Sequence, residues 1–191
     1  KRLDLGWIAV EYVHGGPEGT TLTDRVTSTV AATGTAFDPA RAALAVEHIA
    51  RGLHAVHEVS VIHRDMKPDN VLVCGTGEEE IFKLSDFGIA RAHGAQATLG
   101  MIVGTPGYAA PELSSLDPKG IGTWTDVFGF ACIVYFLLTG EAYFQFGSPM
   151  LAAALVKLPE RRSLLDARGL DPELRANPDA CRAIDLALAR A

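Results

Sequence analysis

Two short segments of the chain carry side chains that could transfer a phosphoryl group. Residues 63–70 read HRDMKPDN, and the aspartate of a DFG sequence follows sixteen residues after the last residue of that segment. Phosphoryl transfer needs a carboxylate that positions the acceptor hydroxyl, a cation on the phosphoryl oxygens, and hard oxygen ligands for Mg²⁺. The two segments supply these groups on Asp65, Lys67, Asn70 and Asp86.

A β-hairpin is predicted between these segments. Val71–Val73 and Ile81–Leu84 are short apolar runs, and the acidic stretch 74–80 separates them as a turn would. We interpret the glutamates at 78–80 as a solvated part of that turn. The first segment therefore directly precedes a strand that can hold it rigidly, and Asp86 follows the end of the next strand.

Helices are predicted on both sides of the hairpin. Asp38-Pro39 combines an N-cap residue with proline at the first helical position, and Val127–Leu138 is apolar on all sides, as in a helix buried in a core. A weaker amphipathic helix is predicted within 14–37, from Leu22, Val26 and Val30 at four-residue spacing. The face of the helix that begins at Asp38 is formed by Ala42, Val46, Ile49, Leu53 and Val56.

Near the start of the chain, Trp7–Val13 is rich in β-branched and aromatic residues and ends at a glycine-rich sequence. This pattern predicts a strand that continues into a loop.

Composition restricts the class of protein. The 191 residues are 48% hydrophobic and 21% charged, which excludes global disorder and allows one domain or one lobe of something larger. A net charge of −6 argues against a nucleic acid or an anionic membrane as partner. The three cysteines are far apart, which argues against a disulfide framework and predicts a cytoplasmic protein. The longest uncharged apolar stretch has 12 residues, too few for a transmembrane segment.

Three motifs in order resemble those of eukaryotic-like Ser/Thr protein kinases of the bacterial type. They are HRDMKPDN, DFG, and GTPGYAAPE at 104–112, which are similar to the catalytic loop, the metal motif and the end of the activation segment. The resemblance covers nearly the whole chain. It implies an α+β, protein-kinase-like fold with a mainly α-helical large lobe and short β-hairpins at the catalytic cleft.

The resemblance also implies a role for each polar residue of the first two motifs. Asp65 would orient the acceptor hydroxyl and accept its proton, and Lys67 would neutralise charge on the γ-phosphoryl group of ATP. Asn70 and Asp86 would hold Mg²⁺. His63 would be a structural residue of the core, because Asp65 already has the role of the base. The lysine at 67 and the GTPGY sequence resemble the Ser/Thr branch, so the expected partners are ATP and protein substrates with Ser or Thr acceptors.

Residues further from these motifs match the family in the same way. Backbone groups of Glu11 and Val13 would bind adenine, Val10 would be the gatekeeper, and Leu72 would lie beneath the base. Asp126 resembles the family's aspartate that ties the buried helix to the backbone of the catalytic loop.

The resemblance predicts that residues 1–191 form a partial kinase domain. No glycine-rich phosphate loop and no strand lysine precede Trp7, so the amino-terminal lobe would be missing and the chain alone would be inactive. Glu112 would lack its usual arginine partner. The predicted divisions are a hinge at 9–16, a catalytic loop at 63–70, an activation segment at 86–112 and a helical lobe at 113–191.

The resemblance suggests phosphate-dependent regulation. Arg64, beside the catalytic aspartate, matches kinases whose activation segment is ordered by a phosphate. Thr98 is the only Ser or Thr between Gly88 and Gly104, so it is the predicted site of that phosphate. Thr105 would position the substrate or bond near Asp65.

Two other classes of function stay open. Small-molecule phosphotransferases of the aminoglycoside or choline kinase type also carry His-x-Asp, an asparagine five residues later, and a later metal aspartate. Arg64, Lys67 and the segment 104–112 argue against that class. A non-catalytic, pseudokinase-like interaction module is disfavoured because all four catalytic side chains are intact, but the missing lobe leaves it open.

Overall fold

The computed structural model describes residues 9–87, 107–114, 120–144 and 161–191. Helices predominate in these residues, and two short strands form an antiparallel pair, as the predicted α+β class requires. The α-helices and strands are α1 (Leu22–Thr33), α2 (Pro39–Glu58), β1 (Val71–Cys74), β2 (Ile81–Leu84), α3 (Thr123–Thr139), α4 (Pro172–Arg175) and α5 (Pro178–Ala189). Single turns of 3₁₀-helix lie at Pro68–Asn70, Gly77–Glu79, Pro111–Ser114 and Leu164–Asp166.

Side-chain caps define the beginnings of α1 and α2. In α1, the backbone N–H of Asp24 donates to the Thr21 hydroxyl at 3.1 Å, and the Asp24 carboxylate accepts from the Thr21 N–H at 3.0 Å. In α2, the Asp38 carboxylate accepts from the N–H groups of Ala40 and Arg41, both at 2.9 Å. These bonds satisfy donors that have no partner within the helix. Both predicted helices are therefore confirmed.

The predicted hairpin is also confirmed. Strands β1 and β2 pair from Val71 opposite Leu84 to Cys74 opposite Ile81. Beyond the pair, the N–H of Ser85 donates to the carbonyl of Asn70 at 2.9 Å. Because the strands are antiparallel, Asn70 and the residues after β2 lie at the same end of the hairpin.

Helix α3 passes through the centre of the core. Its side chains Cys132, Ile133, Tyr135 and Leu137 have no exposed surface, and they belong to one apolar cluster with α1, α2, the hairpin and α5. A helix that is apolar on nearly every side can remove its apolar surface from water only in the centre of a core. Val127, near its start, is 40% exposed, so the burial is not complete around the first turn.

The strand predicted at 7–13 is not found in its described part. Residues 9–16 have no regular secondary structure, and the side chains of Val10 and Tyr12 are largely exposed. Strand propensity alone does not form a strand, because its backbone needs a neighbour. Within the described residues, the only sheet consists of β1 and β2, and neither strand pairs with 9–13.

The interpretation of Glu80 as part of a solvated turn is wrong. Its side chain is completely buried and forms ion pairs with Arg25 and Arg41, on α1 and α2. Two guanidinium groups compensate the loss of water around this carboxylate, as burial of a charge requires.

Cys74, Cys132 and Cys181 are free thiols. Among the helices in the described ranges, none combines the length and the apolar character that a membrane crossing would need.

Candidate active site

The loop 63–70 is fixed to α3 by the buried carboxylate of Asp126. Its Oδ1 accepts from the backbone N–H of Arg64 at 2.7 Å, and its Oδ2 accepts from the N–H of His63 at 2.8 Å. Nε2 of His57, near the end of α2, lies 2.8 Å from the same Oδ2. The predicted link between Asp126 and the backbone of this loop is therefore confirmed.

A close approach at Gly129 brings the same loop onto the surface of α3. A Cβ atom at this position would lie 2.6 Å from Cβ of Met66 and 3.1 Å from the Met66 carbonyl oxygen. Glycine is therefore required by space rather than by its backbone angles. Since Met66 follows Asp65 directly, the packing of α3 helps to determine where the Asp65 carboxylate lies.

The structure brings together the three polar side chains that the motif supplies. Nζ of Lys67 lies 3.3 Å from Oδ2 of Asp65, and Nδ2 of Asn70 donates to the same oxygen at 3.1 Å. Nδ2 of Asn70 also donates to the Asp65 carbonyl at 2.8 Å. The side chains of Asp65 and Lys67 are 22% and 23% exposed, so both remain accessible to a bound molecule.

His63 connects this loop to the end of the hairpin. Its buried ring has Nε2 at 2.9 Å from the Ser85 carbonyl oxygen, and Nδ1 accepts from the N–H of Asp65 at 3.3 Å. These two partners match the tautomer that carries its proton on Nε2. The ring also packs against Phe87, with 4.9 Å between centroids. His63 is thus part of the core, where the sequence predicts it, and it links the Asp65 loop to the backbone beside Asp86.

Asn70 and Asp86 can supply oxygen ligands at one end of the hairpin. Nδ2 of Asn70 is occupied by Asp65, so the amide oxygen is the atom of Asn70 that can bind a cation. Asp86 is exposed and has a positive φ of 53°, an uncommon value for a residue other than glycine. In the described part of the chain, no three His, Cys, Asp or Glu side chains lie together as metal ligands. This donor set fits Mg²⁺, which is commonly bound through one or two carboxylates together with phosphate oxygens.

Of the residues predicted to bind the nucleotide base, Leu72 lies on β1 and Glu11 contacts β2. The carboxylate of Glu11 pairs with Nζ of Lys83 at 2.6 Å, and Lys83 is the residue opposite Leu72 in the strand register. The hydrogen bond with Glu11 raises the pKa of Lys83. This pair connects Glu11, in the hinge segment 9–16, to the β2 residue that lies opposite Leu72 of β1. Val10 is 83% exposed, and Val13 is half-buried.

The predicted regulatory residues are only partly within the described ranges. Thr98 and Thr105 lie outside them. Arg64 has a positive φ of 65°, and its buried Nε has no hydrogen-bond partner among the described residues. Oε1 of Glu112 accepts from the hydroxyl of Thr125 at 2.7 Å, so this carboxylate has a partner on α3.

Three residues near the site were not predicted from the sequence: His57, Arg25 and Glu80. His57 offers no signal of its own, because its contact with Asp126 joins residues 69 positions apart. Arg25 does offer a signal. It lies between Leu22 and Val26 on the apolar face of α1, where an arginine must be buried and therefore paired.

A family model and individual relatives among known proteins point to the same family. The family model described as Protein kinase domain matches residues 4–164. The serine/threonine-protein kinase PknJ of Mycobacterium tuberculosis is 38% identical over 78% of this chain and 24% of its own length. The serine/threonine-protein kinase Pkn1 of Myxococcus xanthus is 41% identical over 58% of the chain and 16% of its own. The serine/threonine-protein kinase STE20 of Eremothecium gossypii is 33% identical over 88% of the chain and 16% of its own.

The chain thus spans a quarter or less of the length of these relatives. The family model nevertheless covers far more than half of the chain, including the loop 63–70, the hairpin and α3. This chain belongs to the protein kinase domain family.

Proposed function

We propose that this protein transfers the γ-phosphoryl group of ATP to serine or threonine hydroxyls of protein substrates. The observation that carries the proposal is the contact of Asp65 with Lys67 and Asn70, in a loop that the buried Asp126 fixes to the core. The relatives named serine/threonine-protein kinases support the same acceptor class. The alternatives of a small-molecule acceptor and of a non-catalytic module have no comparable support.

Asp65 and Lys67 divide the work of the transfer. Asp65 orients the acceptor hydroxyl and accepts its proton, while the hydroxyl oxygen forms a bond to the γ-phosphorus and the bond to the β-phosphate oxygen breaks, releasing ADP. Nζ of Lys67 contacts Oδ2 of Asp65, and the same ammonium group can bind the phosphoryl oxygens. Orientation is the larger part of this chemistry, because a phosphoryl transition state needs little covalent assistance.

Asn70 and Asp86 would hold Mg²⁺ in this proposal. When bound, the ion neutralises charge on the phosphate oxygens of ATP. Asn70 has a second role, because its amide nitrogen binds Asp65, which leaves its oxygen as the atom for the ion. Asn70 therefore couples the position of the base to the position of the metal ligand.

The hinge segment would receive the adenine base. Backbone groups of Glu11 and Val13 bind the base edge, Val10 is the gatekeeper, and Leu72 lies beneath the ring. The ion pair of Glu11 with Lys83 supports this arrangement, because it joins the hinge segment to the β2 residue opposite Leu72. We also propose a cytoplasmic location, which the free thiols support.

Phosphate on Thr98 would order the activation segment, residues 86–112, by pairing with Arg64. The buried and unpartnered Nε of Arg64 supports this proposal, since a guanidinium group seeks an acceptor. Thr105 would position the substrate. Mass spectrometry of an active preparation should find phosphate on Thr98, and an active preparation without it would contradict the proposal.

Replacement of the base tests the proposed function. Asp65→Asn, assayed like all the other variants in the full-length protein, should bind Mg-ATP normally but lower turnover on a protein substrate by about 100-fold or more, because the proton acceptor is lost. Asp69→Asn is the matched control, since Asp69 is exposed, carries the same charge and lies in the same loop. Full turnover by Asp65→Asn would overturn the proposal.

A further inference from the structure

A buried arginine lies at the end of the hairpin remote from Asp86. The guanidinium of Arg25, on α1, has no exposed surface, and every one of its N–H groups has an acceptor. Nε donates to the Gly19 carbonyl at 3.0 Å, and Nη1 donates to carboxylate oxygens of Glu18 and Glu80, both at 3.2 Å. Nη2 donates to the carbonyls of Gly75, at 2.9 Å, and Gly15.

The carboxylate of Glu80 is shared between two arginines. Arg41, on α2, binds it in the bidentate manner, with Nε to Oε2 at 2.7 Å and Nη2 to Oε1 at 2.6 Å. Arg41 also contacts Glu18 at 3.1 Å, and its guanidinium stacks over the Phe37 ring at 4.1 Å. Although burial raises the pKa of Glu18, hydrogen bonds from Arg41 and Arg25 lower it below its ordinary value, so this group stays charged.

These contacts connect the hinge segment to the turn of the hairpin. Gly15 is in the hinge segment, whereas Gly75 and Glu80 belong to the turn between β1 and β2. The chain at 15–19 folds tightly, since a Cβ on Gly15 would lie 2.1 Å from the Gly19 carbonyl oxygen. Arg25 therefore fixes the end of the hinge segment at the Gly15 carbonyl, and the chain just after it at the Gly19 carbonyl.

Backbone bonds continue this connection along the hairpin. The N–H of Val73 donates to the Thr20 carbonyl at 2.8 Å, and Thr21 forms a β-bridge with Leu72. The chain that follows the hinge segment is thus fastened to β1 at Leu72 and to the hairpin turn through Arg25. These two attachments determine how far the hinge segment lies from the strand that carries Leu72.

We infer that Arg25 and Glu80 are positioning residues for nucleotide binding. They hold the hinge segment at the distance from Leu72 that the adenine base needs. They act through the backbone of Gly15 and Gly19 and do not touch the nucleotide. This inference rests on the proposed function, because it concerns the nucleotide site of that reaction. A buried ion pair contributes little net stability compared with apolar residues of the same volume, whereas its directed hydrogen bonds fix geometry.

Glu80→Gln is the direct test. The amide keeps the shape of the side chain but loses the charge and one acceptor oxygen shared by the two arginines. We expect KM for ATP, and Kd for a fluorescent ATP analogue, to rise by about 5- to 10-fold, with kcat and KM for the protein substrate within about twofold of wild type. Arg41→Lys, which removes the bidentate contact that the partly exposed Arg41 makes with the buried Glu80, should raise Kd by about 2- to 3-fold.

Glu141→Gln is the matched control. Glu141 also pairs with an arginine, Arg162, and it accepts from the N–H of Arg168 at 2.9 Å, but it belongs to neither the hinge segment nor the hairpin. Its Kd for the nucleotide should stay at the wild-type value. Thermal melts of all three variants should be recorded to check that each is folded at the assay temperature.

The outcomes separate this inference from the proposed function. Nucleotide affinity that is unchanged in both Glu80→Gln and Arg41→Lys, with an active wild type, overturns the positioning role alone. A rise of Kd and of KM for the protein substrate together with a fall of kcat, matched by Glu141→Gln, also overturns it, because the effect would then be one of general stability. A wild type that binds nucleotide but transfers no phosphate overturns the proposed function and leaves the affinity comparison as a test of positioning. A wild type that binds no nucleotide overturns both.

Discussion

The carboxylate of Asp126 lies 2.7 Å from the backbone nitrogen of Arg64 and has no exposed surface. This contact places the first turn of α3 directly against the residue before Asp65. Asp65, the proton acceptor of the proposed reaction, is therefore oriented by α3, and the apolar core determines the position of that helix.

Asp126→Asn should separate the loop from α3. An amide has only one acceptor oxygen. One of the two buried backbone N–H groups, of His63 or of Arg64, would therefore face the amide nitrogen, which is also a donor. We expect the free energy of unfolding to fall by about 2–3 kcal/mol. Misplacement of Asp65 should lower kcat on the order of 10- to 100-fold.

His57→Ala is the control for that experiment. It removes the third partner of Asp126 but leaves both backbone bonds in place. We expect a smaller loss, below about 1.5 kcal/mol in urea titration, with kcat within twofold. Wild-type turnover in Asp126→Asn would contradict the role assigned to this carboxylate.

Gly129 and Gly52, each within a helix, should respond in opposite directions to alanine. In Gly129→Ala the new Cβ would meet Met66 at 2.6 Å, and we expect overpacking to cost about 1–3 kcal/mol and to lower kcat. In Gly52→Ala the nearest atom, on Leu84, is at 3.5 Å, so better helix propensity should stabilise by up to about 1 kcal/mol. Thermal melts measure both, and stabilisation by Gly129→Ala would refute the close approach.

The cap of α1 should make the free energy of unfolding depend on pH. The backbone hydrogen bond from Thr21 is the main cause that lowers the pKa of Asp24 below its ordinary value. The folded protein thus favours the charged carboxylate. Its contribution to the free energy of unfolding is complete above the pKa of the unfolded state, about 4, and is lost as pH falls through the lower pKa of the folded state. Asp24→Ala should cost about 1 kcal/mol at pH 7, and less near pH 3.

Glu47→Ala gives the comparison for Asp24. Glu47 forms an exposed pair with Arg51 one helical turn away, and such pairs contribute less than about 0.5 kcal/mol. Urea unfolding of both variants at the two pH values measures the difference. An Asp24→Ala cost that does not decline in acid would show that the charged carboxylate is not part of the cap.

Asp86→Asn should remove the dependence of nucleotide binding on Mg²⁺. The wild type should bind a fluorescent ATP analogue at least several-fold more tightly with Mg²⁺ than without it, and the variant should show little difference, because an anionic ligand is lost. Asp69→Asn should behave as the wild type does. A full Mg²⁺ response in Asp86→Asn would argue that this carboxylate does not bind the metal.

Local patterns were sufficient for the elements that build the site. The N-cap and proline at Asp38-Pro39 predicted the beginning of α2, and two apolar runs around an acidic turn predicted the hairpin. Each of these signals depends on residues close together in the chain, so the sequence contains it directly. The contact of Asp65 with Asn70 is of the same kind, because a single short loop carries both residues.

Long-range pairing accounts for what the sequence could not show. Glu80 looked like a solvated residue because its neighbours are acidic, yet its partner Arg25 is 55 positions away. The segment 9–13 has the residue types of a strand, but the described residues include no neighbouring strand to pair with it. Burial of a charge and pairing of a strand both depend on a distant partner, which a local pattern does not contain.

Identification of the phosphorylated product tests the central claim most directly. The protein would receive γ-³²P-ATP and Mg²⁺ together with a generic protein substrate, an aminoglycoside and choline in one mixture, and the labelled protein would be hydrolysed to its amino acids. We predict label in phosphoserine and phosphothreonine, none in the small molecules, and loss of this label in Asp65→Asn. Label confined to a small molecule or to phosphotyrosine, or equal labelling by Asp65→Asn, would contradict the account.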